Sequence, residues 1–191
     1  MKTNNILISV IIPYYKKKKY IYQSLKSVLN QSHKKFELII VYDDENLNDY
    51  IFLKKIINKD KRVKLIKNKK NKGVSYSRNK GIGISKGKFI AFLDADDVWQ
   101  KDKLNYQLNY MFKNNLDITH TNYKIMDERN RIVRSMKVEK YLTYNKLLNS
   151  CDIGLSTVMI SSKIKKLLKF KKIMTKEDYL LWLILSKKYK I

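Results

Sequence analysis

A chain of 191 residues is long enough for one ordinary domain with a real hydrophobic core and short for two. Its 44% hydrophobic content, five glycines and single proline exclude disordered and fibrous classes. The 42 Lys and Arg residues against 17 Asp and Glu give a formal charge of +25, which attracts phosphates, nucleic acid or an anionic membrane face.

Runs such as Lys16-Lys17-Lys18-Lys19 and Lys67 to Lys72 hold much of that excess, and they also read as plain solvated surface. Cys151 is the single cysteine, so an intrachain disulfide and a thiolate metal cluster are excluded and a reducing, cytoplasmic setting is expected. No apolar run approaches the ~18 residues of a membrane span, which leaves peripheral contact as the expected mode. Ile6 to Ile12 imitates a signal-peptide core but lacks a small-residue cleavage site and runs into Pro13-Tyr14-Tyr15 and the lysines, so it reads as a buried strand.

Taken in chain order, the apolar runs Leu7 to Ile12, Phe36 to Val41, Val63 to Ile66 and Phe89 to Leu93 predict strands covered on both faces. Helical patterns separate them: Ile21, Leu25, Val28 and Leu29 share one face, Leu53, Ile56 and Ile57 another, and Asn79 to Ser85 closes a third helix before Gly87. This alternation predicts an α/β fold with a doubly wound, mostly parallel sheet over the first hundred residues. Its ligand crevice should lie beyond the C-terminal strand ends. Next come an amphipathic helix through Leu104, Leu108, Met111 and Phe112, then strands at Ile118 to Met126 and Ile132 to Val138 forming a small mixed or antiparallel extension. Lys176 to Leu185 reads as a final helix whose opening acids, Glu177 and Asp178, favour its positive end.

Acidic residues collect at two predicted strand ends, Asp43-Asp44 and Asp94-Ala95-Asp96-Asp97. Clustered carboxylates repel one another unless a cation holds them, and hard oxygen ligands favour Mg²⁺ or Mn²⁺ bridging to a diphosphate. The competing reading makes Asp97 the N-cap of the helix that begins near Asp102 and the other acids solvated turn residues.

Several blocks carry a resemblance: Ser9 to Tyr15, Leu29-Asn30-Gln31, Phe36 to Asp44, Gly73 through Asn79, Gly87 to Asp97 and Glu177 to Trp182. In order and spacing they resemble family-two inverting glycosyltransferases of the GT-A fold, of the bacterial surface-polysaccharide type. The likeness covers nearly the whole chain, taken as one unit 1–191. It implies a nucleotide-sugar-binding half over 1–100 and an acceptor-side half over 101–191. The chain stops 13 residues after Asp178, so a shortened acceptor side is expected.

The resemblance also implies roles. Pro13 and Tyr15 match positions lining the nucleoside pocket, and Asp44 matches the carboxylate that accepts from the base. Asp94 and Asp96 match the DxD pair, Asp96 toward the metal (Mn²⁺ or Mg²⁺) and Asp94 toward the ribose, with Asp97 as a supporting or capping acid. Arg78 is a diphosphate or base contact, or else a helix-surface arginine. Asp178 matches the catalytic base. The implied donor is a nucleotide sugar, UDP-linked, and the acceptor a glycan or lipid-linked hydroxyl, with peripheral contact to an anionic membrane and no nucleic acid. Tyr14, Lys16 and Glu45-Asn46 depart from the family pattern and bear on donor identity. His33 and His120 lack metal-ligand spacing and read as structural or surface residues.

Three alternatives stand beside this reading. A sugar-nucleotide pyrophosphorylase needs a glycine-rich phosphate loop where Pro13-Tyr14-Tyr15-Lys16 stands. A nucleic-acid-binding protein accounts for the charge, yet zinc-finger spacing and RNA-recognition aromatics are missing. A non-catalytic nucleotide-sugar-binding fragment stays open.

Overall fold

The computed structural model describes residues 3–57 and 60–191. The continuous apolar runs become strands Ile8–Tyr14 (β1), Phe36–Tyr42 (β2), Val63–Lys67 (β3) and Phe89–Phe92 (β4). They lie parallel in the order β3-β2-β1-β4. β1, β2 and β4 are buried along their whole length, as strands covered on both faces must be.

Alternate residues of β1 feed two cores. Ile8, Val10 and Ile12 pack with Ile21, Leu25 and Val28 of Lys18–Leu29 (α1), Leu53 of Leu47–Ile56 (α2), and Leu104, Leu108 and Met111 of Lys103–Asn114 (α4). Ile11 faces the other way, with Ile82 of Val74–Ile84 (α3) and Leu181, Trp182 and Leu185 of Glu177–Ser186 (α6). The period-2 alternation of the strand thus places helices on both faces, which is the doubly wound arrangement.

Two glycines permit this close packing. A Cβ on Gly81 would stand 2.5 Å from Ile11 Cγ2, so α3 rests directly on β1. One on Gly87 would stand 2.4 Å from the Ser9 backbone nitrogen.

The second half extends the same sheet. Met159–Ser161 (β8) runs antiparallel beside β4, and Ile118–Thr119 (β5) runs antiparallel beside β8, completing six strands. The strand expected from Ile118 to Met126 is in fact two elements. β5 ends at Thr119, and Tyr123–Met126 (β6) pairs instead with Ile132–Met136 (β7) in a separate two-stranded ribbon. The polar stretch His120-Thr121-Asn122 breaks the run, and Asn122 closes the ribbon's base by accepting from the Val138 backbone N–H at 2.9 Å. Tyr144–Asn149 (α5), N-capped by Thr143, packs near α6. Among the described residues, no helix is long and apolar enough to cross a membrane.

Candidate functional site

Strand order reverses between β1 and β4: β2 and β3 extend from one side of β1, while β4 lies on the other. In a parallel sheet this switch point opens a crevice at the C-terminal strand ends. Pro13 marks where it opens. Ile11 O accepts from Leu93 N and Tyr14 O from Asp43 N, so residue 13 faces the β4 side, beyond the last β1–β4 pair at Ile11↔Phe92. Its missing N–H therefore costs no ladder bond. Tyr15, next along, is 45% exposed.

Two departures from the family pattern are absorbed locally. Tyr14 is fully buried, stacks on Tyr42 at 5.0 Å and donates its hydroxyl to Asp49 at 2.8 Å. Burial, then Asp49, push the Tyr14 phenol well up from its usual range. Lys16 adopts a left-handed φ of 50°, which turns its N–H onto Asp44 at 3.0 Å.

The acids after β2 divide their work. Buried Asp43 accepts from Asn68 Nδ2 (2.7 Å) and from the backbone N–H groups of Lys72 (2.8 Å) and Gly73 (2.7 Å), pinning the loop before α3. Asp44 accepts from the Lys16, Glu45 and Asn46 backbones. Its Oδ2 carries one of those bonds and Oδ1 two, so Oδ2 keeps the greater accepting capacity.

After β4, Asp94, Asp96 and Asp97 occupy one turn. Asp94 accepts from Arg78 Nη2 at 2.9 Å, and Asp96 from Lys17 Nζ at 2.6 Å. Ser156 ties the turn to the second half: its Oγ accepts the Asp94 N–H at 3.0 Å and donates to Asp97 Oδ2 at 2.5 Å. Asp97 is therefore not the cap of α4, whose N-cap Asp102 makes no side-chain cap bond. Although Asp97 keeps surface in solvent, desolvation of its carboxyl raises its pKa, and the negative charge of Asp94 and Asp96 adds to this against the Ser156 bond.

Arg78 links both halves. Its buried guanidinium donates to Asp94 through Nη2 and to Glu177 through Nη1, and lies over the Phe170 ring at 5.3 Å. Glu177 opens α6, so the bridge brings Asp178 to the same end of the sheet as the acidic turn. Lys176, the α6 N-cap, takes a left-handed φ of 62°. Asp178 accepts from the Tyr179 N–H at 2.8 Å. Burial raises its pKa, and the negative charge of Glu177 adds to that against the opposing pull of the Tyr179 N–H. Such a carboxylate is a better proton acceptor than a solvated one.

No three His, Cys, Asp or Glu side chains converge as a metal cage among the described residues. Among the described residues, Asp94 and Asp96 nevertheless each leave one carboxylate oxygen without a hydrogen-bond donor, and both side chains are more than a third exposed. One or two carboxylates completed by waters and phosphate oxygens is the donor set Mg²⁺ uses, so the chemistry of these residues would suit such an ion.

Sequence reasoning placed Pro13, Tyr15, Asp44, Asp94 and Asp96 at this sheet edge, and Arg78 joins Asp94 to the residue preceding Asp178. It missed Lys17, Ser156 and Glu177. Lys17 was masked by its lysine run, and Ser156 carries no local signal. Two cavities of about 450 and 290 Å³ lie elsewhere, around Tyr189 and His120 respectively, and no acidic residue lines either. Chemistry, not volume, marks the site. His33 is structural, with Nε2 between the Ile6 and Lys35 carbonyls.

The model of "Glycosyl transferase family 2" matches residues 9–168, most of the chain. The chain belongs to glycosyl transferase family 2. A relative from Escherichia coli, described as UDP-Glc:alpha-D-GlcNAc-diphosphoundecaprenol beta-1,3-glucosyltransferase WfgD, is 37% identical over 96% of this chain and 71% of its own length. Another, from Bacillus subtilis strain 168, is described as putative teichuronic acid biosynthesis glycosyltransferase TuaG. It is 34% identical over 95% of this chain and 73% of itself. The crystal structure of S. aureus TarS 1-349 in complex with UDP-GlcNAc superposes with a TM-score of 0.74 at 24% identity, covering 92% of this chain. This chain spans about half of that structure, 52%, and the likeness establishes the fold. The α/β, GT-A architecture of this family 2 member thus agrees with the sequence expectation.

Proposed function

We propose that this family 2 member is an inverting glycosyltransferase that moves a sugar from a UDP-linked donor to an acceptor hydroxyl during assembly of a bacterial surface glycan. The observation that carries the reading is the Arg78 bridge, which ties an acid of the β4 turn to the N-terminus of α6. A donor-side acid and a candidate base are thereby held at one sheet edge. The WfgD description, with its UDP-glucose donor and diphosphoundecaprenol-linked acceptor, supports a lipid-linked acceptor, and the formal charge of +25 supports contact with an anionic membrane.

In this reading Asp178 takes the proton of the acceptor hydroxyl as that oxygen attacks the anomeric carbon from the face opposite the leaving diphosphate. A single displacement of this kind inverts the centre. Asp44 accepts from the base, and Pro13 and Tyr15 line the nucleoside pocket, where the exposed Tyr15 ring can pack on the base. Asp96 and Asp94 would hold Mn²⁺ or Mg²⁺, which when bound offsets charge on the diphosphate. Arg78, whose one charge Asp94 and Glu177 share, holds both acids in place beside the diphosphate site.

A thermal-shift screen of nucleotide sugars with and without Mn²⁺ tests binding, because a ligand of the native state raises its melting point. UDP-sugars should raise it more with Mn²⁺. An assay with a lipid-diphosphate sugar acceptor then tests transfer. No stabilisation by any nucleotide sugar would overturn the reading, and binding without transfer would assign a non-catalytic nucleotide-sugar-binding protein.

A further inference from the structure

The ribbon formed by β6 and β7 is built unlike the rest of the molecule. It pairs Tyr123↔Met136, Lys124↔Ser135, Ile125↔Arg134 and Met126↔Ile132, with an irregularity beside Met126 that leaves Val133 as an extra residue. Directly opposed residues share a face. On the Tyr123–Met136 face those two residues are half-buried, with Tyr123 close to Gly154 at the base, while Ile125 and Arg134 further along it are exposed. The opposite face carries Lys124, Met126, Ile132 and Ser135, with Val133 in the irregularity beside them. Met126, Ile132 and Val133 are 39%, 56% and 68% exposed.

Antiparallel sheets with one solvated face normally place polar side chains there. Here the outward face sets Met126, Ile132 and Val133 beside Lys124 and Ser135, and the charge around it is basic. Asp127 is consumed by Arg131 and the Arg129 backbone, and Glu128 by Lys19. Lys124, Arg129 and Lys137 have no acidic partner within ion-pair distance among the described residues, while Arg134, opposite Ile125, belongs to the inner face. An apolar strip rimmed by unpaired cations suits a surface that is hydrocarbon beneath and negative at the headgroups.

We propose that the outer face of the β6–β7 ribbon docks on an anionic phospholipid surface, Met126, Ile132 and Val133 entering the interface while Lys124, Arg129 and Lys137 meet the headgroups. The ribbon's inner side supports the placement. Tyr123 lies within electrostatic reach of Asp152 and Cys151, and Cys151 within reach of Asp178. The ribbon therefore carries the membrane on one side and backs the candidate base on the other. The inference deepens the membrane-facing part of the proposed function and rests on that reading for its purpose. Docking itself requires neither donor nor acceptor.

The test is co-sedimentation with vesicles of phosphatidylcholine alone and of phosphatidylcholine mixed with phosphatidylglycerol. The full chain should bind the mixed vesicles preferentially. The variant Met126→Ser/Ile132→Ser/Val133→Ser should lose about tenfold or more of that partitioning, with an unchanged urea midpoint and UDP-sugar binding. A Val133→Trp variant, read as a difference spectrum against the protein with its native Trp99 and Trp182, should shift its emission to shorter wavelength on mixed vesicles. Wild-type binding by the triple-serine variant, or an unshifted Val133→Trp emission on bound vesicles, would overturn the inference. So would a triple variant that binds vesicles normally but changes oligomeric state, which would assign the face to a protein contact. Because the vesicles contain no acceptor, loss of docking and failure of glycosyl transfer are read separately.

Discussion

Replacing Arg78 with Met keeps the side-chain length and removes the charge that two acids share. The Glu177 side chain is 12% exposed and would be left almost buried without a counter-cation. Removing one partner of a buried pair costs roughly 3–5 kcal/mol. The Asp94 side chain is 36% exposed, so solvent screens that half of the bridge and its share is small. Arg78 Nε has no hydrogen-bond partner, and deleting it returns about 1 kcal/mol of desolvation. The net expectation is a loss of about 2–4 kcal/mol, equivalent to a drop in Tm of roughly 4–16 °C for a chain of this size. Urea denaturation at fixed pH measures it. Adding Glu177→Gln should recover about 1–2 kcal/mol, because the stranded charge causes most of the loss. A loss below about 0.5 kcal/mol, or simple additivity of the two substitutions, would refute the bridge as described.

Asp178 gives a pH signature. Because its native pKa is raised, the folded state holds the proton more tightly than the unfolded chain, a stabilisation present below the unfolded carboxylate value and lost as pH rises through the native one. Asp178→Asn should therefore be more stable than wild type at neutral pH, with the gap closing near pH ~4, while transfer is abolished. A gap that does not vary with pH, or normal turnover, removes Asp178 from this role. Asp96→Ala should weaken Mn²⁺-dependent UDP-sugar binding by roughly tenfold or more and leave binding in chelator unchanged, as read by calorimetry. Lys17→Ala, which frees Asp96 from its ion pair, should instead tighten Mn²⁺ binding. Gly87→Ala sets a Cβ against two backbone atoms, Ser9 N at 2.4 Å and Phe89 O at 2.7 Å, and should cost about 2–3 kcal/mol in urea unfolding.

The parallel strands were legible because burial on both faces demands unbroken apolar runs, and Leu7 to Ile12, Phe36 to Val41 and Phe89 to Leu93 supply them. The acids at Asp43-Asp44 and Asp94 to Asp97 were legible as a site for a related reason: charge at the end of a buried strand stands out. β8 was not anticipated, since three residues carry no periodicity and its place depends wholly on β4 and β5. The apolar character on both sides of His120-Thr121-Asn122 concealed the break between β5 and β6. Within the site, the missed contacts are long-range, with Ser156 meeting the Asp94 N–H across 62 positions and Glu177 meeting Arg78 across 99. Local pattern holds no record of such pairs. Asp43 and Asp44, adjacent and alike in sequence, differ in the donors around them: Asn68 Nδ2 and the Lys72 and Gly73 amides for one, the Lys16, Glu45 and Asn46 amides for the other.

The position of β8 has a consequence for biogenesis. Phe89 pairs with Ser161 and Ala91 with Met159, so one edge of β4 stays unsatisfied until some seventy further residues have left the ribosome. A nascent chain halted near residue 100 would present that open edge to any passing strand. Translation pauses or truncations in this interval should therefore yield aggregation and chaperone capture in place of a free-standing donor-binding half.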